Sequence, residues 1–161
     1  MDLSPSHNAF SRLFLNSSAG LLIGLAAAMC LANCDNGGFT QPHDPVFGLS
    51  MSAFFWLVSL IEVTVGLMCL SRASEALKLF FVLWLAIAGV VYYMLALRHD
   101  QIELSMYLGN LADAFYLTPR LVYLGLNCII VYLLTGSSAA LFLVAAQSRA
   151  NSKMERAAPT L

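Results

Sequence analysis

One acid stands well inside an apolar stretch of this chain. Glu62 lies slightly past the middle of residues 47–70 and is the single charged residue there. A carboxylate near the centre of a bilayer costs about 2.5–3.5 kcal/mol on insertion scales, so such a residue faces the interior of a helix bundle. It then serves either as a hydrogen-bonded tie between helices or as a proton or substrate site. Helical spacing puts Ser59, Glu62, Gly66 and Cys69 on one face, a narrow stripe of polar and small residues on an otherwise apolar helix. Hydrogen-bond partners for that face are Asn127, Tyr123, Tyr92 or Tyr93, and Asn16 or Ser17. No second acid, Lys or His lies deep in an apolar stretch to pass a proton on. The expectation is therefore structural glue, with a small transporter working through Glu62 as an alternative.

Sulfur chemistry is the next candidate. The cysteines are Cys30, Cys34, Cys69 and Cys128, with no Cys-x-x-Cys among them. Cys30 and Cys34 are four apart. On a continuous helix their Cα atoms are about 6 Å apart with side chains poorly aimed for a bond, so a redox pair needs local unwinding after Ala32. Free thiols in apolar surroundings are the commoner state. A metal site is not expected: His43 beside Asp44 offers too few ligands. His7, His43 and His99 all fall outside the apolar stretches, so none is placed to hold a buried haem or chlorin, and no cofactor is expected.

The elements that position these residues are four apolar stretches, at about 13–32, 47–70, 77–97 and 121–146. A helix rises about 1.5 Å per residue, so about 20 apolar residues cross a hydrocarbon core about 30 Å thick. The chain is 60% hydrophobic and 11% charged, against about 25% charged in soluble domains. These numbers predict an all-α integral membrane four-helix bundle in a single domain covering residues 1–161. A net charge of −1 argues against a nucleic-acid partner.

Basic residues set the expected orientation. Arg12, Arg72, Lys78, Arg149, Lys153 and Arg156 fall on one side, whereas Arg98 and Arg120 alone fall on the other. Both termini and the turn near residue 72 are then cytoplasmic, with a polar cytoplasmic tail at 147–161. The loops at 33–46 and 98–120 face outward. Leu31-Ala32-Asn33-Cys34 resembles the end of a lipoprotein signal, but Asn33 stands where a small residue is usual, and the segment reads as a retained span. In the first outer loop Asn36-Gly37-Gly38 is turn chemistry. Asp44 reads as the N-cap of the second span, with Pro45 at its first helical position. In the second outer loop apolar residues recur among polar ones, as in a short amphipathic helix lying on the membrane surface. Thr118-Pro119 opens the fourth span.

Small residues mark where helices approach closely. Gly20, Gly24 and Ala28 form a small-xxx-small-xxx-small run in the first span. Ala86 and Gly89, and Gly136 and Ala140, offer similar notches. The pattern does not tell a contact within the chain from a contact with a neighbour.

Several short patches together resemble the DoxX-like, MauE-type redox-associated membrane proteins of bacteria. They are Asp44-Pro-Val-Phe-Gly-Leu-Ser50, Ile61-Glu62-Val-Thr-Val-Gly66, Leu108-Gly-Asn-Leu-Ala-Asp-Ala-Phe-Tyr-Leu-Thr-Pro119 and Tyr132-Leu-Leu-Thr-Gly-Ser-Ser138. The resemblance covers about residues 13–145 and implies a small four-helix protein of the bacterial inner membrane, with Glu62 matching the acid of the family's second span. It also implies a Cys-x-Cys before the Leu-Gly of the second outer loop, used for electron or disulfide transfer to an extracytoplasmic redox protein. Ser105 and Tyr107 occupy those positions here. The scaffold is present without its presumed chemistry. The expected function is therefore an accessory or structural subunit of a larger bacterial membrane complex, acting through helix packing and partner binding rather than as an enzyme. A thiol-disulfide relay or maturation factor using Cys30 and Cys34 is the enzyme-class alternative.

Overall fold

Hydrocarbon offers no water to backbone N–H and C=O groups, so a chain this apolar satisfies them within helices or a closed barrel. A computed structural model describes residues 4–34, 43–44, 46–99 and 117–157. Four helices make up nearly all of this: α1 (Ser4–Cys34), α2 (Met51–Leu70), α3 (Glu75–His99) and α4 (Pro119–Ala157). Each contains a segment long and apolar enough to cross a membrane, namely Ala9–Leu31, Ser52–Leu70, Glu75–Leu95 and Arg120–Ala146. Among the described residues the regular elements are helical, and by length and composition the four apolar helices are those of a multi-pass membrane protein.

Two helices run past their apolar cores. α1 begins at Ser4, and α4 continues to Ala157, into the polar segment at 147–161. The segment after Ala146 contains no Gly or Pro before Pro159, so nothing in it interrupts a helix. The extension projects about 16 Å beyond the span, at about 1.5 Å per residue. Pro119 stands at the first helical position of α4, and Leu121 N–H and Val122 N–H donate to Thr118 O at 2.9 and 3.3 Å. The proposed surface helix of the second outer loop falls outside the described residues.

The start of α2 differs from expectation. Asp44 is not its N-cap. Ser50 takes that place, with its Oγ accepting from Ala53 N–H at 3.4 Å, and the helix begins at Met51. The reason lies in the intervening turn. Asp44 Oδ1 accepts from Val46 N–H and Phe47 N–H at 3.1 and 2.6 Å, and Gly48 N–H donates to Asp44 O at 2.8 Å. Gly48 then takes φ +66°, a left-handed conformation that only glycine adopts freely and that no helix continues through. Asp44 N–H closes the turn on Leu49 O at 2.6 Å.

The helices alternate in direction, with the short α2–α3 turn at the same end as the start of α1 and the end of α4. This is the terminal end, and the opposite one is the loop end. α1 packs along α2 and α3 along α4, with lighter contact between the pairs. Close approach carries the packing. Ser59 Oγ donates to Ala26 O across α1–α2 at 3.3 Å. A Cβ built on Gly66 would stand 2.9 Å from Ile23 Cγ1 and 3.4 Å from Ala19 O, so α1 sits directly on that glycine. On α4, the ring of Phe14 fills the space a Cβ at Gly136 would need, and Tyr132 flanks it with ring centroids 5.3 Å apart. At the terminal end Arg12 and Glu75 form an exposed ion pair at 3.7 Å. Lys78 Nζ donates to Ser71 O at 2.6 Å, beside the last carbonyls of α2.

These contacts make a graded prediction. Gly136→Leu drives a side chain into Phe14 and lowers the stability of the purified chain by about 1–3 kcal/mol, the usual range for overpacking. Gly20→Leu, with open space beside it, changes it by less than about 0.5 kcal/mol, as for other surface positions. Reversible unfolding in mixed micelles measures both.

Candidate functional site

The interior divides into two apolar clusters. One, toward the terminal end, is built around Phe14, Leu22, Val65, Val82 and Leu133. The other, toward the loop end, is built around Met29, Phe54, Phe55 and Val122, with Val58 and Tyr92 packed against it. Glu62 stands between them on α2, one turn from Val58 on one side and from Val65 on the other. It is 5% exposed, and Ser59, Gly66 and Cys69 on the same face are buried with it.

The candidate partners of Glu62 are engaged elsewhere. Tyr92 Oη donates to Asp44 Oδ2 at 2.5 Å. Tyr93 and Tyr123 pair through their hydroxyls, and Asn127 Nδ2 donates to Tyr123 O at 2.8 Å. Ser17 Oγ donates to Phe14 O at 3.0 Å and meets Tyr132 Oη at 2.5 Å. Asn16 is exposed. Glu62 Oε2 is buried without a hydrogen-bond partner among the described residues, and so is Ser18 Oγ on α1. The acid is therefore buried on the inward face of α2, and no described residue hydrogen-bonds its Oε2.

Among the described residues the most densely bonded side chain is that of Asp44, whose sequence context reads instead as a helix N-cap. Asp44 is 1% exposed and spends both carboxylate oxygens on the turn and on Tyr92. The Tyr92 ring lies nearly parallel to Phe47, with centroids 6.2 Å apart and planes 7° apart. It also stacks on Phe54 at 4.9 Å. An Asp two and three residues before the N–H groups it accepts from, with Gly48 following, is a readable turn signal. The tie to a tyrosine far along the chain carried no local signal.

The two glycines in the small-residue run of α1 meet none of the described residues. A Cβ at Gly20 or at Gly24 would meet nothing within 4 Å, and both are exposed, whereas Ala28 is half-buried. At 100° per residue these glycines lie opposite the buried stripe of Leu15, Ala19, Leu22 and Ala26, together with the exposed Leu13, Ala27 and Leu31. The notches at Gly66 and Gly136 are filled from within, and Gly89 makes ordinary contact with Ile130 at 3.8 Å.

The thiols are separate. Cys30 is half-buried, Cys69 buried and Cys128 exposed, and all three are free. The Cys34 side chain lies outside the described residues, but α1 is helical through that position, so the unwinding a Cys30–Cys34 bond requires is not present. Among the described residues no three His, Cys, Asp or Glu side chains converge, and His43 is exposed. Ser105 and Tyr107 fall outside the described residues. Comparison with known protein families, characterised proteins and solved structures returns no match.

Two outcomes follow from this geometry. Glu62→Leu leaves the unfolding midpoint in mixed micelles unchanged or raises it, because it removes a buried acid with an unpartnered oxygen. A loss above about 1 kcal/mol shows instead that the carboxyl holds a hydrogen bond across the bundle. Cys30 in native membranes labels equally with a thiol reagent before and after reduction, since a helical α1 holds it as a free thiol. Labelling that appears only after reduction contradicts this.

Proposed function

We propose that this chain is an accessory subunit of a larger assembly in a bacterial cytoplasmic membrane, acting by docking another membrane helix on the outward face of α1. The observation that carries the reading is the open space beside Gly20 and Gly24, on the side of α1 away from its own bundle. Between helices in lipid there is no hydrophobic drive, because lipid tails are as apolar as leucine. Association relies on van der Waals packing, and small residues let two backbones come close. Here Ile23 and Phe14 fill the notches at Gly66 and Gly136, and no described residue fills those at Gly20 and Gly24. A bulky helix face would serve lipid contact equally well. One notched at two glycines, with no described residue against them, is suited to a neighbouring helix.

The distribution of Lys and Arg supports an orientation with both termini in the cytoplasm, and the helical extension of α4 carries Arg149, Lys153 and Arg156 on that side. The outward loops then face the compartment in which an extracytoplasmic redox partner would sit, as the likeness to MauE-type proteins implies. The missing loop thiols at Ser105 and Tyr107 favour binding over electron transfer by this chain.

Isolation from native membranes in a gentle detergent or in lipid particles tests the reading. The wild-type chain is expected to migrate with a larger complex. The double variant Gly20→Leu, Gly24→Leu is expected to be released as the free chain while its own unfolding is unchanged, since overpacking at the contact costs about 1–3 kcal/mol. A wild-type chain recovered only as the free monomer contradicts the proposal.

A further inference from the structure

Hydroxyls along the spans find carbonyls. Ser17 donates to Phe14 O three residues back. Thr64, Thr135, Ser137 and Ser138 each donate to the carbonyl four residues back, the usual way a serine or threonine is satisfied within a helix. Ser59 reaches across to Ala26 O. Ser18 does neither. It is fully buried, and its Oγ has no hydrogen-bond partner among the described residues. The other buried side-chain oxygen in that state is Glu62 Oε2. The two residues lie along one seam. Ala19 O stands 3.4 Å from where a Cβ on Gly66 would be, so Ser18 of α1 is nearly level with Gly66 of α2. Glu62 is one turn from Gly66, on the same buried face. The offset between Ser18 and Glu62 along the helices is therefore about 6 Å, at about 1.5 Å per residue. An enclosed polar group without a partner is costly, and two of them one turn apart share a single remedy.

We propose that Ser18 and Glu62 form a binding site for a single water molecule held inside the bundle between α1 and α2. The water accepts from Ser18 Oγ–H and donates to Glu62 Oε2. Two such bonds in series, each about 2.8 Å, span an offset of this size, which one direct bond does not. Ala19 O, on the Gly66 side of the seam, takes the second hydrogen. The water then has three polar partners, the usual number for a buried one. A metal cation fits less well. Hard cations gather about six or more oxygens, whereas the buried, unpartnered side-chain oxygens among the described residues are these two. Replacing Glu62 by leucine removes the acid and the water together, which is close to neutral for stability because both members of the pair go. Ser18 then turns back onto a carbonyl of its own helix, as Ser17 does. The site does not depend on whether another helix docks on α1, because Ser18 and Gly20 lie on opposite sides of that helix.

Solid-state NMR of the full-length protein in bilayers with deuterated lipid chains tests it, by following magnetisation transferred from water to carbon-13-labelled glutamate and serine. The Glu62 carboxyl signal is assigned by its loss in Glu62→Gln, and the Ser18 signal by its loss in Ser18→Ala. In the wild type, early transfer from water is expected at the Glu62 carboxyl and at Ser18 Cβ, although both are buried. Ser18→Ala should lower the transfer at Glu62 several-fold, and Glu62→Leu should do the same at Ser18. Ser137→Ala removes a hydroxyl that is equally buried but bonded to Leu133 O of its own helix, and should leave the Glu62 signal as in the wild type. This control separates a shared water from general loosening of the bundle. The proposal is overturned if wild-type Glu62 receives no early transfer, which a direct Ser18–Glu62 bond would give. It is overturned equally if Ser18→Ala leaves that transfer unchanged or if Ser137→Ala reduces it as much. A Glu62 signal that shifts when sodium and potassium are exchanged for a bulky organic cation would show a bound metal ion in place of water.

Discussion

The structure depends on how closely α1 approaches its neighbours. In hydrocarbon, burying one apolar face against another gains little over leaving it in lipid, so cohesion comes from contact density and the occasional hydrogen bond. α1 meets α2 at Ala19, Ile23, Ala26, Ser59 and Gly66, where a glycine and a serine leave room for the opposing backbone. It meets α4 where Phe14 occupies the space beside Gly136. The Ser59 bond adds about 0.6 kcal/mol on the scale measured for such bonds in membranes. The Arg12–Glu75 pair, with the arginine side chain 77% exposed, adds at most about 1 kcal/mol. Packing at these small residues, rather than charge, sets the geometry into which the remaining side chains fit.

Placement of the acid follows from that geometry. With α1 resting on the Gly66 face of α2, the positions one and two turns toward the loop end are turned inward as well, so Glu62 and Ser59 are enclosed. Ser59 finds a carbonyl of α1 and is satisfied. Glu62 lies level with apolar and small side chains, and the tyrosines that would reach it are committed to Asp44 and to one another.

How much of this was legible in the sequence differs by element. The four spans were, because length and hydropathy in a bilayer leave few alternatives. The common face of Ser59, Glu62, Gly66 and Cys69 was also legible, because a 3.6-residue period puts those positions together, and all four are buried. The start of α2 was misread. Asp44-Pro45 has the chemistry of a helix N-terminus, but the left-handed Gly48 and the bonds of Asp44 to Val46 and Phe47 end the turn before the helix starts. Nor could the sequence say which glycines face inward. Gly20 and Gly24 have the same spacing as a packed notch, and only the arrangement of α2 and α4 around α1 shows that no described residue fills theirs. The tie between Asp44 and Tyr92 joins the turn before α2 to a residue on α3 and has no local pattern to betray it.

The central claim is that the outward face of α1 is a protein contact and not a lipid contact. A photoactivatable amino acid placed at position 24, irradiated in native membranes, tests this most directly, with the same residue at position 124 on the lipid-exposed side of α4 as the reference. The account predicts that position 24 crosslinks to another polypeptide chain, while position 124 crosslinks mainly to lipid. Equal crosslinking of both positions to lipid would contradict it.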